Sequence, residues 1–286
     1  MTTSELLVPI FGGIGNQMFQ VAHALAVSEN YDLQPTFVQM TNRGTSVRNW
    51  EVEVFGIRRG NISPIRVSIL RLRISAAREI QKITKKSFMG VAFDNGKEVA
   101  KYAATPPRVL YGYWQRKAFF ESYETSVRRQ FRFPDLDKDP VAVAINNKPR
   151  SVAIHIRRGD YVSDPVARAH HLICDADWYE TSWEFLRLRL GDCHAFVFSD
   201  DPAWVRSNLS LEGSITIVEK VQDEEPWKDM ARMSLCDSFI ISNSSYSWWA
   251  AYLSKSDNKT VVAPKFWFNG ISTSEIEICP NDWMLR

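Results

Sequence analysis

Apolar, strand-like segments alternate with segments of helical periodicity along almost the whole chain of 286 residues. Residues 6–11 are apolar, a glycine-rich turn follows at 12–16, and apolar residues in 17–28 recur every three or four positions. The same alternation resumes at 151–157. A strand followed by an amphipathic helix is the repeating unit of parallel α/β sheets. The sequence therefore predicts an α/β protein with parallel sheets.

Residues 133–149 interrupt this alternation with three prolines and a run of polar residues. Such a segment is typical of a connection between domains. We therefore expect two Rossmann-like α/β domains facing a cleft, an N-terminal one at 1–148 and a C-terminal one at 149–286. The C-terminal tail is a candidate to return to the N-terminal domain.

Composition excludes several classes of protein. Lys and Arg total 35 against 33 Asp and Glu, and this net charge of +2 argues against a general nucleic-acid binder. No stretch approaches the ~20 apolar residues that span a bilayer. The four cysteines lack the C-x-x-C spacing, and the first residues lack the basic start of a signal peptide. We expect a cytoplasmic protein with reduced thiols.

The segment 58–86 differs from the rest of the chain because its net charge is +8. Apolar residues recur among its cations at a spacing of three to four, which predicts a basic amphipathic helix. Such a helix could rest on the inner face of an anionic membrane. The alternative is an ordinary surface helix with a solvated basic face.

The strand at 151–157 runs directly into charged residues, with His155, Arg157, Arg158 and Asp160 at its end. Two adjacent cations at the end of a core strand are unfavourable unless an anion neutralises them. Ligands of open α/β sheets bind at the carboxyl ends of strands. Arginine also matches phosphate oxygens with its planar fork of donors. The segment therefore predicts an anion site.

Two further strand ends carry polar residues. One is a serine-rich helix start, which can hold a phosphate on its N–H groups or can be a plain helix cap. The other carries two acids, which can accept from ribose or guanine or can be charges at a helix N-terminus. Together the three strand ends predict a nucleotide diphosphate site. The residues involved are Asn243, Ser244, Ser245 and Ser247 at the serine-rich start, and Ser199, Asp200 and Asp201 at the acidic one.

The turn at 12–17 resembles a dinucleotide-binding fingerprint, with Gly13 and Gly15 in place but Met18 where a third glycine belongs. This argues against a site for NAD. Asn16 and Gln17 are instead suited to hydrogen-bond a sugar or the nucleotide.

Metal signatures are weak. The Asp-x-Asp patterns at 175–177 and 135–139 do not follow apolar strands, and the five histidines lack zinc-site spacing. We expect no metal site.

Several segments, in order along the chain, resemble motifs of the α-1,2-fucosyltransferases of glycosyltransferase family 11. The absence of a recognisable N-terminal anchor makes the resemblance greater to bacterial members than to animal ones. The matching segments are Gly-Gly-Ile-Gly-Asn-Gln-Met-Phe-Gln at 12–20, Leu-Tyr-Gly-Tyr-Trp-Gln at 110–115, His-Ile-Arg-Arg-Gly-Asp-Tyr at 155–161, Val-Phe-Ser-Asp-Asp at 197–201, Ser-Asn-Ser-Ser-Tyr-Ser-Trp-Trp-Ala-Ala at 242–251 and Ala-Pro-Lys-Phe-Trp-Phe at 263–268.

The resemblance implies a GT-B-like fold, with an acceptor-side N-terminal domain and a GDP-fucose-binding C-terminal domain. It implies transfer of fucose from GDP-β-L-fucose to O2 of a terminal β-galactoside, with inversion and without a metal, in the synthesis of O-antigen or a related surface glycan. The alternatives are a fucosyltransferase of another linkage and a non-catalytic nucleotide- or sugar-binding module.

The same resemblance implies roles for residues of this chain. Arg157 and Arg158 hold the diphosphate and stabilise the leaving group, and His155 and Asp160 orient them or contact donor and acceptor. Asp160 is the candidate general base, and direct proton uptake by the leaving diphosphate is the alternative. The expected donor-binding set is Gly13, Gly15, Asn16, Gln17, Ser199, Asp200, Asp201, Asn243, Ser244, Ser245 and Ser247, in which Ser244, Ser245 and Ser247 bind phosphate, Asp200 or Asp201 reads guanosine, and Asn16 faces fucose or acceptor.

Overall fold

The computed structural model describes residues 4–41, 48–84, 88–94, 106–159 and 174–286. The chain divides into two compact units, Met1–Arg132 and Phe133–Arg286. Both units are built on parallel sheets, as the sequence predicts.

The N-terminal unit contains a four-stranded parallel sheet in the order β2-β1-β4-β3. Short 3-10 turns occur at Val52–Phe55, Lys117–Phe119 and Glu121–Tyr123. The regular elements are β1 (Ser4–Ile10), α1 (Ile14–Tyr31), β2 (Leu33–Gln39), α2 (Pro64–Thr84), β3 (Val91–Phe93), β4 (Val109–Tyr111) and α3 (Glu124–Gln130).

Periodicity predicts the helices of this unit well where one face is buried. Helix α2 packs against the sheet through Leu70, Ile74 and Ala77, which recur at the spacing of a single helical face. The segment 117–131 is two 3-10 turns followed by α3, not one continuous helix. Phe120 ends the first turn with a φ of −140°, and this lets Phe119 and Phe120, adjacent in sequence, both be buried.

The C-terminal unit contains a six-stranded parallel sheet in the order β12-β9-β8-β5-β6-β7 and a separate antiparallel pair, β10-β11. Its elements are α4 (Pro140–Asn146), β5 (Ser151–Ile156), α5 (Ala176–Leu190), β6 (His194–Ser199), α6 (Pro202–Asn208), β7 (Ser214–Ile217), α7 (Trp227–Ser234), β8 (Ser238–Ile240), α8 (Ser245–Leu253), β9 (Val261–Ala263), β10 (Phe266–Phe268), β11 (Ile271–Ser272) and β12 (Met284–Leu285).

The strand order of this second sheet is that of a dinucleotide-binding fold. When its six strands are numbered along the chain, their order in space is 3-2-1-4-5-6. The direction of winding reverses between β5 and β8, which are neighbours in the sheet. All six residues of β5 are buried. Ligands of such sheets bind beyond the carboxyl ends of the strands at this switch point.

The division between the units lies ahead of the boundary expected at 148/149, because α4 belongs with the C-terminal unit. Asp139 caps α4 by accepting the N–H groups of Val141 and Ala142. The same carboxylate lies 2.6 Å from Nη2 of the buried Arg232 on α7. The chain's last strand also remains in this unit, since Met284 and Leu285 pair with β9. The expected return of the tail to the N-terminal domain is therefore wrong for this strand.

Within the described ranges, no helix combines the length and the apolar character needed to span a bilayer. The four cysteines are free thiols.

Candidate functional site

A hydrogen bond between two of the predicted motifs lies at the switch point of the C-terminal sheet. Nδ1 of His155, at the end of β5, lies 3.0 Å from Oγ of Ser242, which follows β8. Both side chains are buried. The contact ties the His-Ile-Arg-Arg segment to the serine-rich helix start at the place where the fold predicts a ligand.

His155 is a neutral imidazole at physiological pH. Burial lowers its pKa to about 3, and the neighbouring charge of Arg157 contributes in the same direction. A group with such a pKa is a poor proton carrier near neutrality. Of the roles predicted for His155, the geometry favours orienting its neighbours.

Arg157 and Asp200 form an ion pair across two adjacent strands. Nη1 of Arg157 lies 2.9 Å from Oδ2 of Asp200, and Oδ1 of the same carboxylate accepts the backbone N–H of Arg158 at 2.9 Å. Asp200 also approaches Gly159 closely, because a Cβ built there would lie 2.6 Å from Oδ2. Asp200 thus fixes the turn that leaves β5.

The Arg158 guanidinium lies over an aromatic ring. Its Cζ is 3.9 Å from the ring centroid of Trp204, a distance at which cation–π attraction is effective. Nε of Arg158 lies 3.8 Å from Oδ2 of Asp201. Sequence reasoning did not include Trp204, although its position just after the Asp-Asp-Pro turn is the signal that could have found it.

The two acids have separate contacts within the chain, and the prediction that one of them reads guanosine stays a prediction. Asp200 contacts Arg157 and the Arg158 backbone, while Asp201 caps α6 by accepting the N–H of Trp204 at 3.0 Å. The helix-terminus alternative therefore describes Asp201. Ser199 supports the same turn, since its Oγ accepts the N–H of Asp201. Asp200 offsets the charge of Arg157, and the formal charges of the two arginines and the two acids cancel.

The serine-rich segment starts α8, with Ser244 as its cap. Oγ of Ser244 accepts the N–H of Tyr246 at 3.3 Å. Asn243 donates to the carbonyl of Trp267 at 2.8 Å, and Ser247, which is fully buried, donates to the carbonyl of Ser244. Of the three serines predicted to bind phosphate, Ser245 is the one that is partly exposed.

The N-terminal unit also carries polar residues beyond the carboxyl ends of its strands, and we call this its polar edge. Gly13 caps α1, and Gly15 is buried in its first turn. Oδ1 of Asn16 accepts from Nε2 of Gln115 at 2.6 Å. Gln115 belongs to the 110–115 motif but was not among the predicted site residues.

Gln17 has a structural role, and its predicted donor contact stays a prediction. Its Nε2 donates to the carbonyls of Gly12 and Asn49, and its Oε1 accepts the N–H of Glu51. The side chain is buried and its amide binds backbone on both sides. Gln17 therefore holds the segment around Asn49 against the start of α1.

Asp160, the predicted base, lies outside the described residues. In the part of the chain that the structure does describe, no three His, Cys, Asp or Glu side chains group closely enough to hold a metal ion. Asp175, in one of the Asp-x-Asp patterns, caps α5 by accepting the N–H of Trp178.

These features define a class of protein. Parallel α/β units, one with dinucleotide-binding strand order and paired arginines at its switch point, are those of a GT-B-like glycosyltransferase. Residues 59–285 match the model of glycosyl transferase family 11, and the chain belongs to that family. The resemblance stated from the motifs is thereby confirmed.

Individual relatives agree with this assignment. The chain is 30% identical to the O-antigen biosynthesis glycosyltransferase WbnK of Escherichia coli, over 93% of this chain and 95% of that protein. It is 28% identical to an alpha-1,2-colitosyltransferase of Escherichia coli, over 98% of each. The solved structure of fucosyltransferase NodZ from Bradyrhizobium has a TM-score of 0.51 at 10% identity, covering 88% of this chain and 93% of that one, and it supports the fold alone.

Proposed function

We propose that this family 11 glycosyltransferase moves L-fucose from GDP-β-L-fucose to O2 of a terminal β-galactoside, in the synthesis of a bacterial surface glycan. The observation that carries the proposal is the juxtaposition at the β5–β8 switch point. There the arginines that follow β5 are joined, through His155 and Ser242, to the start of α8.

Inversion follows from the proposed donor and product. O2 of galactose attacks the anomeric carbon from the side opposite the diphosphate, so the C1–O2 bond forms as the bond from C1 to the phosphate oxygen breaks. The electron pair of the broken bond leaves on GDP, and the proton of O2 passes to a base. A β-linked donor then gives an α-linked product.

The negative charge that grows on the leaving diphosphate needs preorganised donors, because electrostatic stabilisation is commonly the largest catalytic contribution. Arg157 and Arg158 supply permanent cations whose positions are fixed by Asp200 and Trp204. Helix α8 adds the N–H groups and the positive dipole end of its first turn, with Ser245 beside them. The proposed site therefore works without a divalent cation.

We assign Asp160 as the base that takes the O2 proton, with the leaving diphosphate as the competing acceptor. The polar edge of the N-terminal unit is suited to sugar hydroxyls, because the paired amides of Asn16 and Gln115 offer both donors and acceptors. We assign this edge to the galactoside.

A coupled assay tests the proposal. The protein is incubated with GDP-fucose and lactose, with and without EDTA, and released GDP and product linkage are measured. We expect equal GDP release in both conditions and an α-1,2-fucosyl product. Another linkage, GDP binding without turnover, or loss of activity restored by Mn²⁺ would each contradict one stated part of the proposal.

A second donor is specifically favoured by one relative, whose name assigns it colitose transfer. The same assay with GDP-colitose in place of GDP-fucose distinguishes the two. Turnover confined to GDP-colitose would replace the proposed donor and leave the site and the linkage unchanged.

A further inference from the structure

Helix α2 has two apolar faces, and among the residues that the structure describes one of them packs on the protein while the other is exposed. The face formed by Leu70, Ile74 and Ala77 is buried against the sheet of the N-terminal unit. Burial of this face explains the periodicity on which the helix was predicted. It does not explain the apolar residues on the other side.

The outer side of α2 carries a row of exposed apolar residues, which we call the ridge: Ile65, Ile69, Leu72, Ala76 and Ile83. Their spacing of three, four and seven positions places them along one line of the helix. Ile65 is 73% exposed, Leu72 71% and Ile83 84%. Contiguous apolar surface of this kind marks an interaction site more often than scattered single residues do.

Cations border the ridge on both sides. At about 100° per residue, Arg66 and Arg73 lie along one edge, and Arg71 and Lys82 lie along the other. The helix has five cations and Glu79 as its one acid. The ion pairs of this surface, such as Lys82 with Glu79 at 2.8 Å, are exposed and therefore weak enough to exchange partners.

The turn after α2 enlarges the apolar surface on the Arg73 side. Nε of Arg73 donates to the carbonyl of Met89 at 2.8 Å and holds this turn beside the helix. Phe88 and Met89 are both more than 40% exposed. An aromatic residue beside a basic, apolar helix is a composition suited to the boundary between headgroups and acyl chains.

We propose that the ridge and its bordering cations dock the protein on the surface of an anionic lipid bilayer. The ridge inserts among the upper acyl carbons, and Arg71 and Lys82 contact lipid phosphates. Charge complementarity selects this occupant, because a second copy of the same basic surface would repel it. The inference concerns α2 alone and does not depend on the sugar that the enzyme transfers.

Vesicle flotation of the full chain tests the proposal. The probes are vesicles of phosphatidylcholine alone and vesicles with about one-third phosphatidylglycerol, at low and high salt. We expect flotation with the anionic vesicles at low salt, weaker flotation at high salt, and little with phosphatidylcholine. Failure to float with anionic vesicles, or equal flotation with both, would overturn it.

Matched variants locate the surface. Ile69→Ser with Leu72→Ser should reduce the vesicle partition coefficient about tenfold or more, since each removes a large apolar side chain from the ridge. Arg71→Glu should act in the same direction. The control, Leu188→Ser with Arg189→Glu, changes an equally exposed apolar–cationic pair on α5 and should float like wild type.

Thermal melting and light scattering complete the test. We expect all variants to melt like wild type, because the substituted side chains are exposed. Unchanged flotation of the ridge variant would overturn the proposal, and so would a wild-type dimer that the ridge substitutions dissociate.

Discussion

At the scale of single residues, the ion pair with Asp200 sets the position of the Arg157 guanidinium. The strand register sets this contact, because Ile156 pairs with Ser199 and the next residues of the two strands are therefore neighbours. The arginine is about one-third exposed and so remains accessible to a ligand. Asp200 acts as a positioning residue in this arrangement.

Arg157→Ala should abolish most sugar transfer while leaving the fold intact. Removal of one preorganised donor to a developing anion lowers kcat by about 10²- to 10³-fold. The measurement is kcat for GDP release, with circular dichroism as the check on folding. Arg189→Ala, on the exposed side of α5, is the matched control, and near-normal kcat in Arg157→Ala would remove this residue from the mechanism.

Gly159→Ala should reduce transfer by displacing Asp200. The new methyl group would lie 2.6 Å from Oδ2 of Asp200, closer than real contacts allow, so the carboxylate must leave its observed position beside Arg157. Gly159 is exposed, and we expect a melting temperature close to wild type. Wild-type kcat in this variant would show that the Arg157–Asp200 pair does not need its observed geometry.

At the scale of secondary-structure elements, the junction of β5 and β8 makes stability depend on pH. The pKa of His155 is lowered by burial to about 3, whereas an unfolded histidine titrates near 6.5. Below pH 6.5 the unfolded chain therefore binds a proton that the folded chain does not. The free energy of unfolding should fall with acidification by about 1.4 kcal/mol per pH unit for this residue.

Denaturant unfolding between pH 7 and 4.5 measures this slope, and His155→Gln should reduce it. The slope should not vanish, because burial lowers the pKa of His23 in the N-terminal unit to about 4. An identical slope in wild type and variant would contradict the assignment of His155 as a neutral residue of the folded state.

Helix α4 is joined to α7 by a buried cation with three carboxylates. Arg232 lies within 2.8 Å of Asp139, Glu224 and Asp229, and its hydrogen bond holds the pKa of Asp139 below its usual value. Arg232→Met would leave these carboxylates without their cation. Breaking a buried pair in this way costs about 3–5 kcal/mol.

Denaturant unfolding of Arg232→Met tests this loss of stability. Arg206→Met removes a cation paired with Glu219 at the surface and should cost less than about 1 kcal/mol. Equal losses in the two variants would show that the α4–α7 junction contributes no more than a surface pair.

Prediction from sequence succeeds at this scale where the information is local. The apolar periods of α1 and α2 and the apolar run of β5 are visible in the chain, and each predicts the observed element. Helix α5 was not predicted. Tyr179 and Trp183 lie on its buried face, but the apolar Trp178 and Leu188 lie outside that face, and they obscure the helical period in the sequence.

The site shows the same division between local and non-local information. That β5, β6 and β8 end together follows from parallel strands, and it brings the arginines, the acids and the serine segment to one edge. The partner of each side chain depends on register and packing. The sequence therefore could not predict that Asp200 pairs with Arg157.

At the scale of the whole molecule, the proposed site for the leaving diphosphate and the proposed membrane surface belong to different units. The arginines and α8 lie in the unit Phe133–Arg286, and the ridge of α2 lies in the unit Met1–Arg132. The two proposals can therefore fail separately. If both hold, bilayer docking concentrates the enzyme where a lipid-linked galactoside resides.

A galactoside attached to a lipid in anionic vesicles should then be a better acceptor than the same galactoside free in solution. Confinement of enzyme and acceptor to one surface should raise kcat/KM by about 100-fold, as expected when a second binding event becomes intramolecular. Ile69→Ser with Leu72→Ser should remove this advantage and leave turnover of the free galactoside unchanged, because α2 takes no part in the proposed chemistry. The measurement compares GDP release from the two acceptors for wild type, the ridge variant and the Leu188→Ser, Arg189→Glu control. A ridge variant that keeps the full advantage would show that the acceptor's lipid is recognised elsewhere on the molecule.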